Sequence, residues 1–141
     1  MIIAIPKETI ENESRVAATP HSVSELIKAG YEVKVESRAG EASFFYDDDF
    51  REVSAEIVTT KEELYKDTNV ILKVTPPAID EINLFSKDTV CVSFFQPTID
   101  IEKVKAMSKN EITGLSMHLV PRTTLAQKMD ALSSQANIAG Y

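Results

Sequence analysis

The sequence contains only four glycines, Gly30, Gly40, Gly114 and Gly140, and no Gly-x-Gly-x-x-Gly among them. Without such a run, no βα turn can bring its backbone close enough to cradle a pyrophosphate on a helix N-terminus. A Gly-x-x-x-x-Gly-Lys phosphate loop is missing as well. The single cysteine, Cys91, excludes an intrachain disulfide. Set in the apolar run Thr89-Val-Cys-Val-Ser93, it reads as a buried, inert thiol. Such usage fits a reducing compartment. Basic runs are absent and the formal net charge is −7, which argues against a nucleic-acid backbone or an anionic membrane surface as partner. No apolar stretch approaches the ~20 residues that span a bilayer. Met1-Ile-Ile-Ala-Ile-Pro6 is too short for a signal peptide and lacks its basic flank. His21 and His118 stand far from each other and from the cysteine, and read as surface or core histidines rather than metal ligands. Asp47-Asp-Asp49 lacks the alternating spacing and central glycine of a calcium loop. Helix-start acidity against the macrodipole explains it better.

What remains is the composition of one globular domain: 141 residues, 43% apolar and 26% charged. Strand-like apolar runs alternate with helical patterns. Ile2–Ile5 reads as a buried strand stopped by Pro6. Thr19-Pro20 opens a helix by cap and proline, with Val23, Leu26 and Ile27 as its stripe and Gly30 as its end. Strands are expected at Tyr31–Glu36, Glu56–Val58, Asn69–Val74, Val90–Phe95 and Glu111–Leu115. Between them fall helices from Asp47 to near Val53, at Lys61–Tyr65, at Asp80–Leu84, and one with Ile101, Val104 and Met107 on its face. Strands joined by single-helix crossovers imply a mainly parallel sheet covered on both sides, a flavodoxin-like or Rossmann-like three-layer domain.

The last segment differs. Taken as one helix from Thr124 to Tyr141, it places Leu125, Met129, Leu132, Ala136 and Ala139 on one side. Gln127, Asp130, Ser134 and Asn137 fall opposite, with Ser133 beside them. Amides and hydroxyls predominate where a solvated face would carry Lys and Glu, so this long helix is expected to pack on another domain or a ligand. Its pattern still runs at Tyr141 without a stop signal, which suggests a truncated gene or a piece of a longer chain.

Two cations occupy informative positions. Arg15 lies in the loop Glu11-Asn-Glu-Ser-Arg-Val16 after the first strand, and Lys73 lies at the C-terminal end of an apolar strand. Ligands of open α/β sheets bind at that edge. A guanidinium fork and an ammonium there could hold a carboxylate, and structural ion pairs with nearby acids are the equal alternative.

Ile3-Ala-Ile-Pro-Lys-Glu8, Asn12-Glu-Ser-Arg-Val-Ala-Ala-Thr-Pro20, Ile71-Leu-Lys-Val74, Val120-Pro-Arg122 and the stretch from Ala126 to Tyr141 together resemble the alanine dehydrogenase and proton-translocating nicotinamide nucleotide transhydrogenase family. The resemblance covers residues 1–141 as the N-terminal domain of a transhydrogenase alpha subunit. It implies that the NAD(H)-holding Rossmann domain lies beyond this chain, and that no cofactor binds to this piece alone. It also implies hydride transfer between NADH and NADP⁺ coupled to proton movement, a homodimer, an NADP-binding component with separate membrane subunits, and a place on the cytoplasmic face of the inner membrane. This piece itself is not expected to enter the membrane. Arg122, Gln127, Asp130 and Ser133 resemble the family's residues that close over the nicotinamide end of NAD(H). The carboxamide offers one acceptor and one NH₂ donor, which an Arg and a Gln or Asp can read. Hydride transfer between two nicotinamides needs positioning and no acid or base, so no general acid or base is assigned.

Alanine dehydrogenase is the alternative. That branch would use Arg15 and Lys73 on the substrate carboxylate and a histidine just after Val90–Phe95. Here Gln96 stands in Phe94-Phe-Gln-Pro97, and an amide cannot relay a proton as imidazole does. Where the family often has a second arginine in its nicotinamide loop, Arg122-Thr-Thr-Leu-Ala-Gln127 has Leu125, which removes one possible charge contact. A third possibility is a stand-alone interaction module that binds a partner through the polar helix face.

Overall fold

The computed structural model describes residues 1–121 and 123–140, with Leu132 described only by its place in the last helix. The elements are β1 (Ile2–Ile5), α1 (Pro20–Lys28), β2 (Glu32–Glu36), α2 (Asp47–Glu52), β3 (Glu56–Val58), α3 (Lys61–Tyr65), β4 (Val70–Leu72), α4 (Ile79–Ile82), β5 (Val90–Ser93), α5 (Ile101–Lys109), β6 (Thr113–Ser116) and α6 (Ala131–Ala139). Short 3₁₀ turns lie at Glu41–Ser43, Met117–Leu119 and Gln127–Met129. The six strands form one sheet in the order β3-β2-β1-β4-β5-β6, and each neighbouring pair is parallel. That is the strand order of the Rossmann-like doubly wound sheet, not of the flavodoxin-like one.

Alternation along the strands separates two cores. Ile3, Ile5, Val33 and Val35 point to the face covered by α1 and α2, where Val23 and Phe50 are buried. Ala4, Ile71 and Cys91 point to the other face, covered by α3, α4 and α5 through Leu64, Tyr65, Ile82 and Met107. Cys91 is fully buried, and burial above all pushes its thiol up to about 12, so it is inert at neutral pH. In α5, Met107 is buried and Val104 packs on the core, whereas Ile101 in the first turn is half exposed.

Local chemistry fixes most boundaries. Thr19 accepts from the Ser22 N–H (3.3 Å) and Pro20 occupies the first turn of α1. Gly30 follows at φ 90°, a value that favours glycine, and the chain leaves the helix there. The three aspartates at the start of α2 are all engaged. Asp47 accepts from Ser37 Oγ and the Arg38 N–H (2.7 Å each), Asp48 pairs with Arg51 (2.6 Å), and Asp49 accepts from the Tyr46 N–H (2.7 Å). β6 starts at Thr113 rather than Glu111 because Glu111 turns through φ 56° and the Ile112 N–H bonds back to the Met107 carbonyl. A Cβ on Gly114 would come within 2.8 Å of the Phe95 ring, so the edge strand needs glycine at this point.

The terminal segment departs most from expectation. It is a 3₁₀ turn and then α6, not one helix from Thr124. Asp130 caps α6 with non-helical backbone (φ −78°, ψ 86°), which separates the two pieces. Leu125 and Met129 therefore do not lie on the helix, and Leu125 is 95% exposed. On α6 itself Ile138 is 76% exposed, so the open surface is not confined to the polar side. Tyr141 and the Leu132 side chain lie outside the described residues.

Candidate functional site

In a sheet of this order the ligand crevice lies beyond the carboxyl ends of the strands, where β1 and β4 run side by side and their connections depart in opposite directions. Pro6 ends β1, and Glu8 follows, with its side chain only 2% exposed. Its carboxylate accepts from the Val74 N–H (2.6 Å), from the Thr75 N–H (3.3 Å) and from Thr75 Oγ1. Lys73, at the end of β4, has a side chain 1% exposed, with its Nζ 3.7 Å from Glu8 and 3.2 Å from Glu81. Glu81, on α4, also accepts from the Tyr65 hydroxyl and lies 3.6 Å from Lys61 Nζ. Burial alone would raise the Glu81 carboxyl. The Lys73 charge, the Tyr65 hydroxyl and Lys61 outweigh it and hold the group below the usual carboxylate range. Burial, then the Glu81 charge, push the Tyr65 hydroxyl up, so it remains a donor. Lys73 is thus enclosed by two carboxylates, an arrangement that persists because every charge has a partner.

Arg15 takes a different course. The loop after Glu8 turns through Asn12 at φ 66° and a Glu13 N–H to Ile10 carbonyl bond of 3.1 Å. Arg15 forks onto Glu13, Nε at 2.8 Å and Nη2 at 2.6 Å, and that fork holds Glu13 below the usual carboxylate range. Its side chain remains 48% exposed and lines a cleft of about 470 Å³. The other walls come from Phe94 and Gln96 after β5, Met117, His118 and Val120 after β6, and Met129, Asp130, Ala131 and Gln135 from the terminal segment. Gln96 is set in place by Asp100, whose Oδ2 accepts the Gln96 N–H at 2.8 Å. That bond, with Lys103 at 3.2 Å, holds Asp100 low.

The expected site residues therefore divide. Asp130 lines the Arg15–Gln96 cleft and also a neighbouring hollow with Gln127, Thr123 and Thr124. Ser133 bonds to Asp130 through its N–H (3.1 Å) and Oγ (2.6 Å). Arg122 lies outside the described residues. Arg15 and Lys73 do not meet at one opening, since Lys73 lines neither of these surfaces. Sequence reasoning missed Phe94, Met117 and Gln135 as cleft walls, Asp100 as the anchor of Gln96, and Glu8 and Glu81 as the partners of Lys73. Glu8 lies inside a stretch that carries the family resemblance, but nothing local marks it as buried.

The cleft offers a donor-only guanidinium, two amides that both donate and accept, a carboxylate and an imidazole, beside apolar Phe94, Met117 and Met129. Such a lining suits a flat, polar, uncharged or anionic group lying against an apolar wall. Among the described residues, no group of three or more His, Cys, Asp or Glu side chains could hold a metal ion. Nor, among them, is any helix long and apolar enough to cross a membrane.

The sequence profile of the family described as alanine dehydrogenase/PNT, N-terminal domain, matches residues 4–139. The NAD(P) transhydrogenase subunit alpha of Haemophilus influenzae is 43% identical over 141 residues, which is 100% of this chain and 27% of that protein. The crystal structure of transhydrogenase from Sinorhizobium meliloti superposes with TM-score 0.95 at 39% identity, covering 100% of this chain and 42% of that one. An L-alanine dehydrogenase structure is a weaker match, with TM-score 0.81 and 28% identity over 85% of this chain and 33% of that one. The chain thus spans well under two thirds of the length of these relatives.

Proposed function

We propose a function from the premise that this chain belongs to the alanine dehydrogenase/PNT N-terminal domain family. It is the N-terminal domain of a transhydrogenase alpha subunit. The full-length protein transfers hydride between NADH and NADP⁺, coupled to proton translocation by membrane subunits. A Rossmann domain elsewhere in that protein holds the adenine and phosphates of NAD(H), and this chain contributes the nicotinamide side. The isolated chain is inactive and binds no cofactor. The complete protein is a homodimer on the cytoplasmic face of the inner membrane, working with an NADP-binding component.

The observation that carries this reading is the position of Asp130. It belongs both to the hollow of Gln127 and to the cleft of Arg15 and Gln96, so the nicotinamide-side residues and the cleft adjoin. Gln127 supplies an amide to match a carboxamide, and Asp130 accepts from the NH₂ group. Arg122 completes the set. Hydride transfer asks these groups only to hold the ring in register. Among the described residues Arg15 is the cation of the cleft, and Lys73 is structural.

A second reading, alanine dehydrogenase, draws support from Arg15 and His118, a cation and an imidazole that line the same cleft. The two separate in an assay of the full-length protein with its partner subunits. NADH-dependent reduction of an NADP⁺ analogue, lowered about tenfold or more by Gln127→Ala, supports the transhydrogenase. Robust alanine-dependent NAD⁺ reduction that is lost in His118→Asn would overturn it.

A further inference from the structure

Doubly wound sheets of this order usually leave their switch point open, and a ligand's phosphate enters it to meet backbone N–H groups. Here that point is already filled. The Glu8 carboxylate occupies it, meeting the N–H groups of Val74 and Thr75 and the Thr75 hydroxyl, with the Lys73 ammonium 3.7 Å away. These are the contacts an anionic ligand would make, and the chain supplies the anion itself. Glu8 also begins the loop that ends in Glu13 and Arg15. The far end of that loop has a tether of its own, the Ser43 hydroxyl donating to the Ser14 carbonyl. Between the two tethers the loop is largely exposed.

We propose that Glu8 is a built-in anion: it fills the switch-point anion site of the sheet and thereby positions the loop that presents Arg15 to the cleft. Glu8 is not among the residues that line the cleft and acts through Arg15, so it is a positioning residue. The inference rests on the proposed function only in taking Arg15 as the cation of the cleft, and its test does not depend on turnover. A mere space-filler would be indifferent to charge. A built-in anion can be replaced by a free one.

The experiment is hydrogen exchange on the full-length protein, comparing wild type with Glu8→Ala and Glu8→Gln. Glu8→Ala is expected to exchange the amides of residues 7–15 about tenfold faster than wild type. Formate, which brings the same pair of oxygens to the vacated space, slows them again, whereas chloride at equal ionic strength does not. Glu8→Gln keeps the volume without the charge, so its loop is loosened and indifferent to formate. Unchanged exchange in Glu8→Ala, no response to formate, equal rescue by chloride, or formate protection of Glu8→Gln would each overturn the proposal. If Glu8→Ala does not fold, Thr75→Val removes a single donor and is expected to loosen the same loop by a smaller factor. No change there overturns the proposal as well.

Discussion

Glu81 is one of the carboxylates that shape the acid limit of the fold. Its carboxyl titrates below the ordinary value of 4.5, because Lys73, the Tyr65 hydroxyl and Lys61 together outweigh the burial that pushes it up. A carboxyl depressed in the folded state contributes stability that is present above its unfolded value and lost as pH falls through its folded value. The chain is therefore expected to lose stability below pH 4.5, with a midpoint in urea that falls as acid is added. Glu81→Gln flattens that limb and, by leaving Lys73 with one distant carboxylate, costs about 3 kcal/mol at neutral pH, read from the same urea curves. This residue also marks where sequence reading stops. Lys73 at a strand end is recognisable as a cation beside a ligand edge. Its partners are eight residues onward in a one-turn helix and far back after β1, and charge order along a chain carries no record of such pairings. Arg15 differs, because its partner Glu13 stands only two residues away.

Among elements, α6 is capped by the side chain of Asp130. Asp130 accepts from both the N–H and the hydroxyl of Ser133, and the first turn has no other acidic residue. Asp130→Ala is expected to weaken α6 by about 1 kcal/mol, read as faster amide exchange in residues 133–139 with β1 to β5 unaffected. Some elements were legible to the residue: β1, β3 and α3 run over Ile2–Ile5, Glu56–Val58 and Lys61–Tyr65, where the alternation of strand-like and helical patterns places them. β4 and β5 are shorter than their apolar runs, although Lys73, Val74 and Phe95 stay buried beyond them and bonds from the Lys73 N–H to the Val92 carbonyl (2.9 Å) and from the Phe94 N–H to the Val74 carbonyl (3.1 Å) carry the pairing on. Gln127, Asp130 and Ser133 were expected at the site through the resemblance to a family. The break at Asp130 was not, since helix periodicity over residues 124–141 averages across it.

For the molecule as a whole, the filled switch point and the scarcity of glycine point the same way. Calorimetric titration of the isolated chain with NADH is expected to give no measurable heat of binding, and micromolar affinity would overturn the proposed division of labour. The topology carries one more consequence, for the order in which the chain can fold. β1 is made first yet lies at the centre, and its inner edge is closed only when Ile3 meets Val70 and Ala4 meets Ile71. Half the chain must therefore be made before the middle of the sheet exists. Pairings this distant in sequence make folding slow. During that interval β1 and β2 present an open apolar edge, which makes the emerging N-terminal half a natural client for chaperones.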